Sequence, residues 1–193
     1  ANPTTFGCAE VGANTVTLTV TDVNGNSSTC TSTVTVEDDI DPTIVCQDIT
    51  VQLDATGNVS ITGMDIDNGT TDNCSTVGST LTLDVTPSDF DCNNVGSNTV
   101  TLTATDENGN TSTCTATVTV QDNEAPVALC QDITIYLDGV GSSSITAADI
   151  DNGSMDNCSV ASLDVNPNTF DCSNVGANGV VLTVTDVNGN TDN

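Results

Sequence analysis

No lysine, arginine or histidine occurs among the 193 residues, against 27 aspartates and glutamates, so the formal charge is -27. A chain without cations cannot neutralise phosphates, which excludes nucleic acid and anionic membrane surfaces as partners. It has no imidazole for proton transfer and no lysine amine for Schiff-base chemistry. Tryptophan is absent, and there are only one Tyr and three Phe. Paired carboxylates are then the only catalytic chemistry left, and a glycosidase site needs an aromatic-lined cleft that these residues cannot build. The sequence therefore predicts no enzyme. No apolar run is long enough to span a bilayer. No Cys-x-x-Cys spacing points to zinc or to a thioredoxin-like site.

What remains is acid, cysteine and small apolar residues. Glu occurs only at positions 10, 37, 107 and 124, so the acid is nearly all Asp, whose short side chain suits tight turns and oxygen-rich calcium loops. High charge of one sign also serves solubility, with or without a cation. Nine cysteines in a short chain imply an oxidising, extracellular setting, secreted or at a cell surface. Hydrophobic content is 36% and aromatic content 2%, so the core must be thin and built from Val, Ile, Leu and Ala. Such cores are commonly stapled.

The sequence repeats itself. One constant interval separates Cys8 from Cys92, Cys30 from Cys114, Pro42 from Pro126, Cys46 from Cys130, and Cys74 from Cys158. The last copy is shorter between Cys158 and Pro167, so Cys172 follows Cys92 by slightly less than that interval. A period of this length is a small domain rather than a solenoid coil. The expected division is the last part of a repeat at 1–40, a complete repeat at 41–124, and a repeat lacking its last strand at 125–193. This register predicts a stretch of a longer array, or a subunit whose missing strand comes from a neighbour. Residues 29–36 of another copy have the pattern needed to complete the open repeat, which would pair Cys30 with Cys130.

Strands alternate with period two. Val100, Leu102 and Ala104 fall on one face and Thr101, Thr103 and Thr105 on the other; Cys114, Ala116, Val118 and Val120 alternate with Thr in the next segment. Asn108-Gly109 predicts a hairpin turn between them. Shorter strands are expected at 43–46, 49–53, 59–61 and 81–85. About seven short strands with no helical period predict an all-β fold of tandem, immunoglobulin-like antiparallel β-sandwich domains.

Several motifs resemble the hyalin repeat (HYR), an immunoglobulin-like extracellular module. They are Pro42-Thr43-Ile44-Val45-Cys46, Asp72-Asn73-Cys74, the strand from Val100 to Asp106, Gly109-Asn110, and Cys114 followed by Val118 and Val120. The resemblance spans the whole chain and implies a role in adhesion or extracellular matrix, as in bacterial surface adhesins and filaments. It also implies a disulfide between Cys46 and Cys114, the two cysteines that two-cysteine members keep. With that pair assigned, Cys74 is expected to pair with Cys92 and Cys158 with Cys172, leaving Cys8, Cys30 and Cys130 to partners outside the sequence. The chain departs from many members in having four cysteines per repeat.

Three acidic groups are candidate Ca²⁺ sites. The first is Asp65, Asp67 and Asp72, repeated as Asp149, Asp151 and Asp156: three carboxylates close together in sequence, beside a cysteine. The second is the junction Asp38, Asp39 and Asp41, whose alternative is a short charged linker. The third is the turn Asp106, Asn108 and Asn110, where a plain hairpin is favoured because no bidentate Glu follows at the calcium-loop distance. Seven Asn-x-Ser/Thr sequons occur among 22 Asn, about the number expected by chance, while outward Thr rows leave glycans open. The expected function is a rigid extracellular filament or adhesin stalk, whose partners are neighbouring copies in a linear array. The alternative is a carbohydrate- or protein-binding adhesion module acting through its loops. The near-identity of the copies favours the spacer.

Overall fold

The computed structural model describes residues 1–193. It is mostly β-structure arranged in several sheets. In chain order, β1 (Gly12–Thr21) and β2 (Ser27–Val36) precede β3 (Ile49–Gln52), β4 (Asn58–Ser60) and the single-turn helix α1 (Gly63–Ile66). Then come β5 (Thr82–Thr86), β6 (Asp89–Asp91), β7 (Gly96–Thr105) and β8 (Thr111–Gln121). The last copy supplies β9 (Ser142–Ser144), α2 (Ala147–Ile150), β10 (Val160–Asn166), β11 (Thr169–Asp171), β12 (Val181–Asp186) and β13 (Thr191–Asp192).

The chain forms two compact units, and each draws on more than one sequence repeat. The first comprises Ala1–Asp48, Thr62–Thr86 and Val100–Ala116. Here β1 and β2 form a two-stranded antiparallel ribbon from Gly12↔Val36 to Thr21↔Ser27. Thr-rich throughout, the ribbon leaves even Leu18 and Val20 exposed. β5 pairs antiparallel with β7, from Thr82↔Thr105 to Thr86↔Thr101. Val100, Leu102 and Ala104 are 0% exposed, as their alternation with Thr requires.

The second unit comprises Ile49–Ile61, Pro87–Thr99 and Thr117–Asn193. β4 pairs with β6, placing Val59 opposite Phe90, and β9 pairs with β11 in the same way. β10, β12 and β13 form a three-stranded antiparallel sheet. Its apolar face belongs to a core of Ile145, Ile150, Val165, Phe170, Leu182 and Val184. A groove of about 630 Å³ in this unit is lined by Ile135, Tyr136, Phe170 and Val180, among others.

Three expectations need correction. The pairing is not wholly antiparallel: β3 runs parallel to β8, from Ile49↔Val118 to Gln52↔Gln121. First and last strands of one repeat can pair in parallel because the rest of the repeat is a long enough crossover. Residues 43–46 make only isolated bridges, Thr43↔Thr71 and Cys46↔Asp67, rather than a strand. The turn helices α1 and α2 depart from the all-strand pattern. Each is one turn long, too short to show a period, and is fixed by the residue just before it: Thr62 N–H and its hydroxyl both donate to Asp65 Oδ2, at 2.7 Å. Thr146 and Asp149 repeat the arrangement.

Candidate metal centre at the repeat junctions

Each hairpin turn is organised by the Asp that ends its first strand. Asp106 Oδ1 accepts from the N–H groups of Asn108 (2.9 Å) and Asn110 (2.7 Å), and Oδ2 accepts from Asn110 Nδ2 (2.7 Å). Asp186 repeats this with Asn188, Gly189 and Asn190. Gly109 alone in the Asp106 turn has positive φ, so a left-handed residue closes the loop and Asn108 needs none. Asp22 makes the same bonds with Asn24 and Asn26 but stays exposed. Asp106 and Asp186 are 5% and 2% exposed. The turn therefore needs its Asp everywhere, and in two of three copies that Asp is also buried among other acids. Burial acts to raise the Asp106 carboxyl, yet the Asn110 amide and the backbone N–H groups together hold it below its ordinary value.

The neighbours come from two other motifs. Asp72 Oδ2 accepts from Cys74 N (2.9 Å) and Ser75 N (2.8 Å), an Asx turn. Asp156 does the same with Cys158 and Ser159. From the junction, Asp38 Oδ1 accepts from Asn73 Nδ2 at 3.1 Å, and Asp122 Oδ1 from Asn157 Nδ2 at 3.2 Å. The main-chain carbonyls of these junction residues accept from Asn110 Nδ2 (3.0 Å) and Asn190 Nδ2 (3.1 Å).

Two equivalent triads result: Asp38, Asp72 and Asp106, and Asp122, Asp156 and Asp186. In each, one oxygen per carboxylate lies within 4.8 Å of those of the others. Four triad oxygens are buried without a hydrogen-bond partner: Asp38 Oδ2, Asp72 Oδ1, Asp122 Oδ2 and Asp156 Oδ1. Asp122 as a whole is only 5% exposed. Two carboxylates at such a separation repel by about 3 to 4 kcal/mol at an effective dielectric of about 20. No side-chain cation exists in this sequence to offset that. Hard oxygen donors of this kind fit Ca²⁺, which takes carboxylates together with carbonyls and waters; zinc would want imidazole or thiolate.

Each triad thus takes one residue from each of the three sequence motifs. Of the expected ligands, Asp38, Asp72 and Asp106 come together in the first triad, and Asp156 belongs to the second. Asp65, Asp67, Asp149 and Asp151 belong to neither triad. Asp65 and Asp149 cap their turn helices, while Asp67 accepts from Thr70 N and Asp151 from Ser154 N. Asp39 and Asp41 also lie outside the triads. Asn108 and Asn110 support Asp106 as donors. Asp122 and Asp186 complete the second triad.

The disulfides join the same places. Cys46 bonds Cys114 as expected. The other two pairings are corrected: Cys8 bonds Cys74 and Cys92 bonds Cys158, each with a sequence separation of 66, while Cys172, Cys30 and Cys130 are free and exposed. The partner of each Asp-Asn-Cys cysteine is therefore the equivalent cysteine of the preceding repeat. The physical reason is placement: Cys8 and Cys92 open short 3-10 turns that face the Asp-Asn-Cys loop of the next repeat, and Cys8 Sγ lies 3.4 Å from Asn73 O. The Cys92 junction is close-packed as well. A Cβ on Gly57 would lie 2.7 Å from Cys92 Sγ and 2.8 Å from Asn157 O.

No protein-family description matches the chain, and no curated protein matches it. Among solved structures it is similar to the human desmocollin-1 ectodomain, at 14% identity and a TM-score of 0.30, over 95% of this chain and 50% of that one. The chain thus spans about half the length of that neighbour. No helix is long and apolar enough to cross a membrane.

Proposed function

We propose that this chain is an extracellular structural repeat protein: a stiff stretch of filament or adhesin stalk. It would be built from tandem immunoglobulin-like sandwiches of the hyalin-repeat type, with calcium at each junction. The observation that carries the reading is the construction of the junctions. A disulfide running from one repeat to the next lies beside a partly buried carboxylate triad, and the same arrangement occurs twice. Disulfides of this density suit a secreted or cell-surface protein. Neighbouring repeats, on this or adjoining chains, are the partners, and the residue types available support no catalysis.

The test is calcium titration of the unreduced chain by calorimetry, with thermal melting in calcium and in chelator. Two bound ions per chain and a higher melting temperature in calcium are expected; binding at one hundred times Kd would add about 2.7 kcal/mol per site. Magnesium should substitute poorly, because it gives up its water reluctantly to an irregular protein cage. No bound ion at millimolar calcium, with unchanged melting, would refute the calcium part of the reading.

A further inference from the structure

Asp72 and Asp156 each face two ways. One oxygen holds the backbone N–H groups of the half-cystine and the following serine, and the other is buried without a partner within its triad. The residue between, Asn73 or Asn157, donates its side-chain amide to the junction carboxylate. The segment Asp-Asn-Cys-Ser is therefore a single short loop that carries both a cation ligand and one end of the inter-repeat disulfide. Asp122, nearly fully buried and with Oδ2 unpartnered, is the second observation that marks the Asp156 triad as a site for a ligand.

We propose that the cation and the disulfide at each junction are coupled. A divalent cation on Asp122, Asp156 and Asp186 protects Cys92–Cys158 from reduction, one on Asp38, Asp72 and Asp106 protects Cys8–Cys74, and Cys46–Cys114 is indifferent to both. The proposal rests on the reading of the triads as calcium sites. Cys8 is exposed and Cys74, Cys92 and Cys158 are half-buried, so a reductant thiolate reaches sulfur directly. Net reduction then depends on whether the freed Asp-Asn-Cys loop swings away or the displaced thiolate re-forms the bridge. A cation bound to the inner oxygen holds that loop in place and favours reclosure, since the carboxylate that would have to move is its ligand. Linkage makes the effect reciprocal: the intact disulfide holds Asp72 or Asp156 in place and so raises cation affinity. Cys46–Cys114 is a built-in control. It closes within one repeat, and the backbone beside Cys46 bonds to Ile66 and Asn68, not to a triad residue.

The experiment uses the full unreduced chain with Cys30, Cys130 and Cys172 blocked by iodoacetamide. Dithiothreitol is added in millimolar calcium or in chelator; it gives two electrons and two protons to each bridge and closes to its own cyclic disulfide. Samples are quenched with N-ethylmaleimide, and each bridge is followed by peptide mass. Calcium should slow reduction of Cys8–Cys74 and Cys92–Cys158 by about fivefold or more, within the usual range of coupling between sites, and leave Cys46–Cys114 unchanged. Asp122→Asn should remove the protection of Cys92–Cys158 while Cys8–Cys74 keeps it. Calcium binding by calorimetry with no selective protection would overturn the coupling and leave the sites standing. Equal slowing of all three bridges would overturn it too, as general tightening. Absence of binding heat would overturn the site reading and the coupling together.

Discussion

Asp72 holds the backbone N–H of Cys74 at 2.9 Å with one carboxylate oxygen and keeps the other buried and unpartnered. Asp156 and Cys158 repeat the relationship. A residue that caps a turn normally spends its charge on that turn. Here half of the carboxylate is kept back, and in both copies it lies among two more acids.

The disulfide map is the most direct check. Peptides from the unreduced chain should link Cys8 to Cys74, Cys46 to Cys114 and Cys92 to Cys158, and alkylation should find Cys30, Cys130 and Cys172. Without Lys or Arg, the cut must be made at Asp or Phe. A Cys74–Cys92 peptide would refute the inter-repeat arrangement.

Asp122→Asn should change sign with the cation. In chelator the variant loses repulsion from Asp156 and Asp186, on the order of 1 to 4 kcal/mol, and should melt above the parent. Its Oδ1 can still accept from Asn157. In calcium it lacks a charged ligand and should melt below the parent. A variant less stable than the parent in both conditions would show that Asp122 is needed for packing rather than for an ion.

Gly57 and Gly109 separate packing from backbone strain. Both have positive φ, so alanine at either costs about 1 kcal/mol in conformation. A Cβ at Gly109 meets nothing within 4 Å, whereas at Gly57 it meets Cys92 Sγ and Asn157 O. Chemical denaturation should find Gly57→Ala worse by a further 1 to 3 kcal/mol, roughly the cost of overpacking. Equal losses would show that the Cys92–Cys158 junction is loosely packed.

Acid should weaken the two turn caps. The Thr62 N–H, then its hydroxyl, hold the Asp65 carboxyl below its ordinary value, and Thr146 does the same for Asp149. A depressed folded pKa contributes stability that is complete above the unfolded value, about 3.9 for Asp, and is lost as pH falls through the folded one. The stability these two caps contribute should therefore be complete down to about pH 5 and be lost below about pH 4. Asp65→Asn should be less stable than the parent at neutral pH, and the difference should shrink in acid. A constant difference at every pH would assign Asp65 a role independent of its charge.

Much of the strand pattern was legible because it is local. Val100, Leu102 and Ala104 alternate with Thr and are all fully buried, and Asp-x-Asn-Gly-Asn closes a hairpin wherever it occurs. The three motifs that supply the candidate metal centre were also visible, but their convergence was not. Asp38, Asp72 and Asp106 stand far apart in sequence, and only the path of the chain brings them together. One signal could have narrowed the junction: Asp38 returns as Asp122, whereas Asp39 and Asp41 return as Asn123 and Ala125. The caps were missed although a signal existed: Thr62 stands three residues before Asp65, a spacing that resembles a capping box and would have separated Asp65 from the candidate metal ligands. Cysteine pairing was least legible. Cys74 has a partner candidate in its own repeat and one in the repeat before, and spacing favours neither.

The overlap of the three disulfide loops sets how far the chain can be drawn out. Between Cys8 and Cys158 the shortest covalent route crosses one bridge to Cys74, follows the chain to Cys92 and crosses the second bridge. Fully extended, the segment from Cys74 to Cys92 spans about 60 Å, whereas the whole stretch from Cys8 to Cys158 would span about 500 Å without bridges. A pulling force that melted every strand between these points would still meet a short tether. The slack released by unfolding is thereby capped in advance, and tension passes from repeat to repeat along sulfur and a short linking strand.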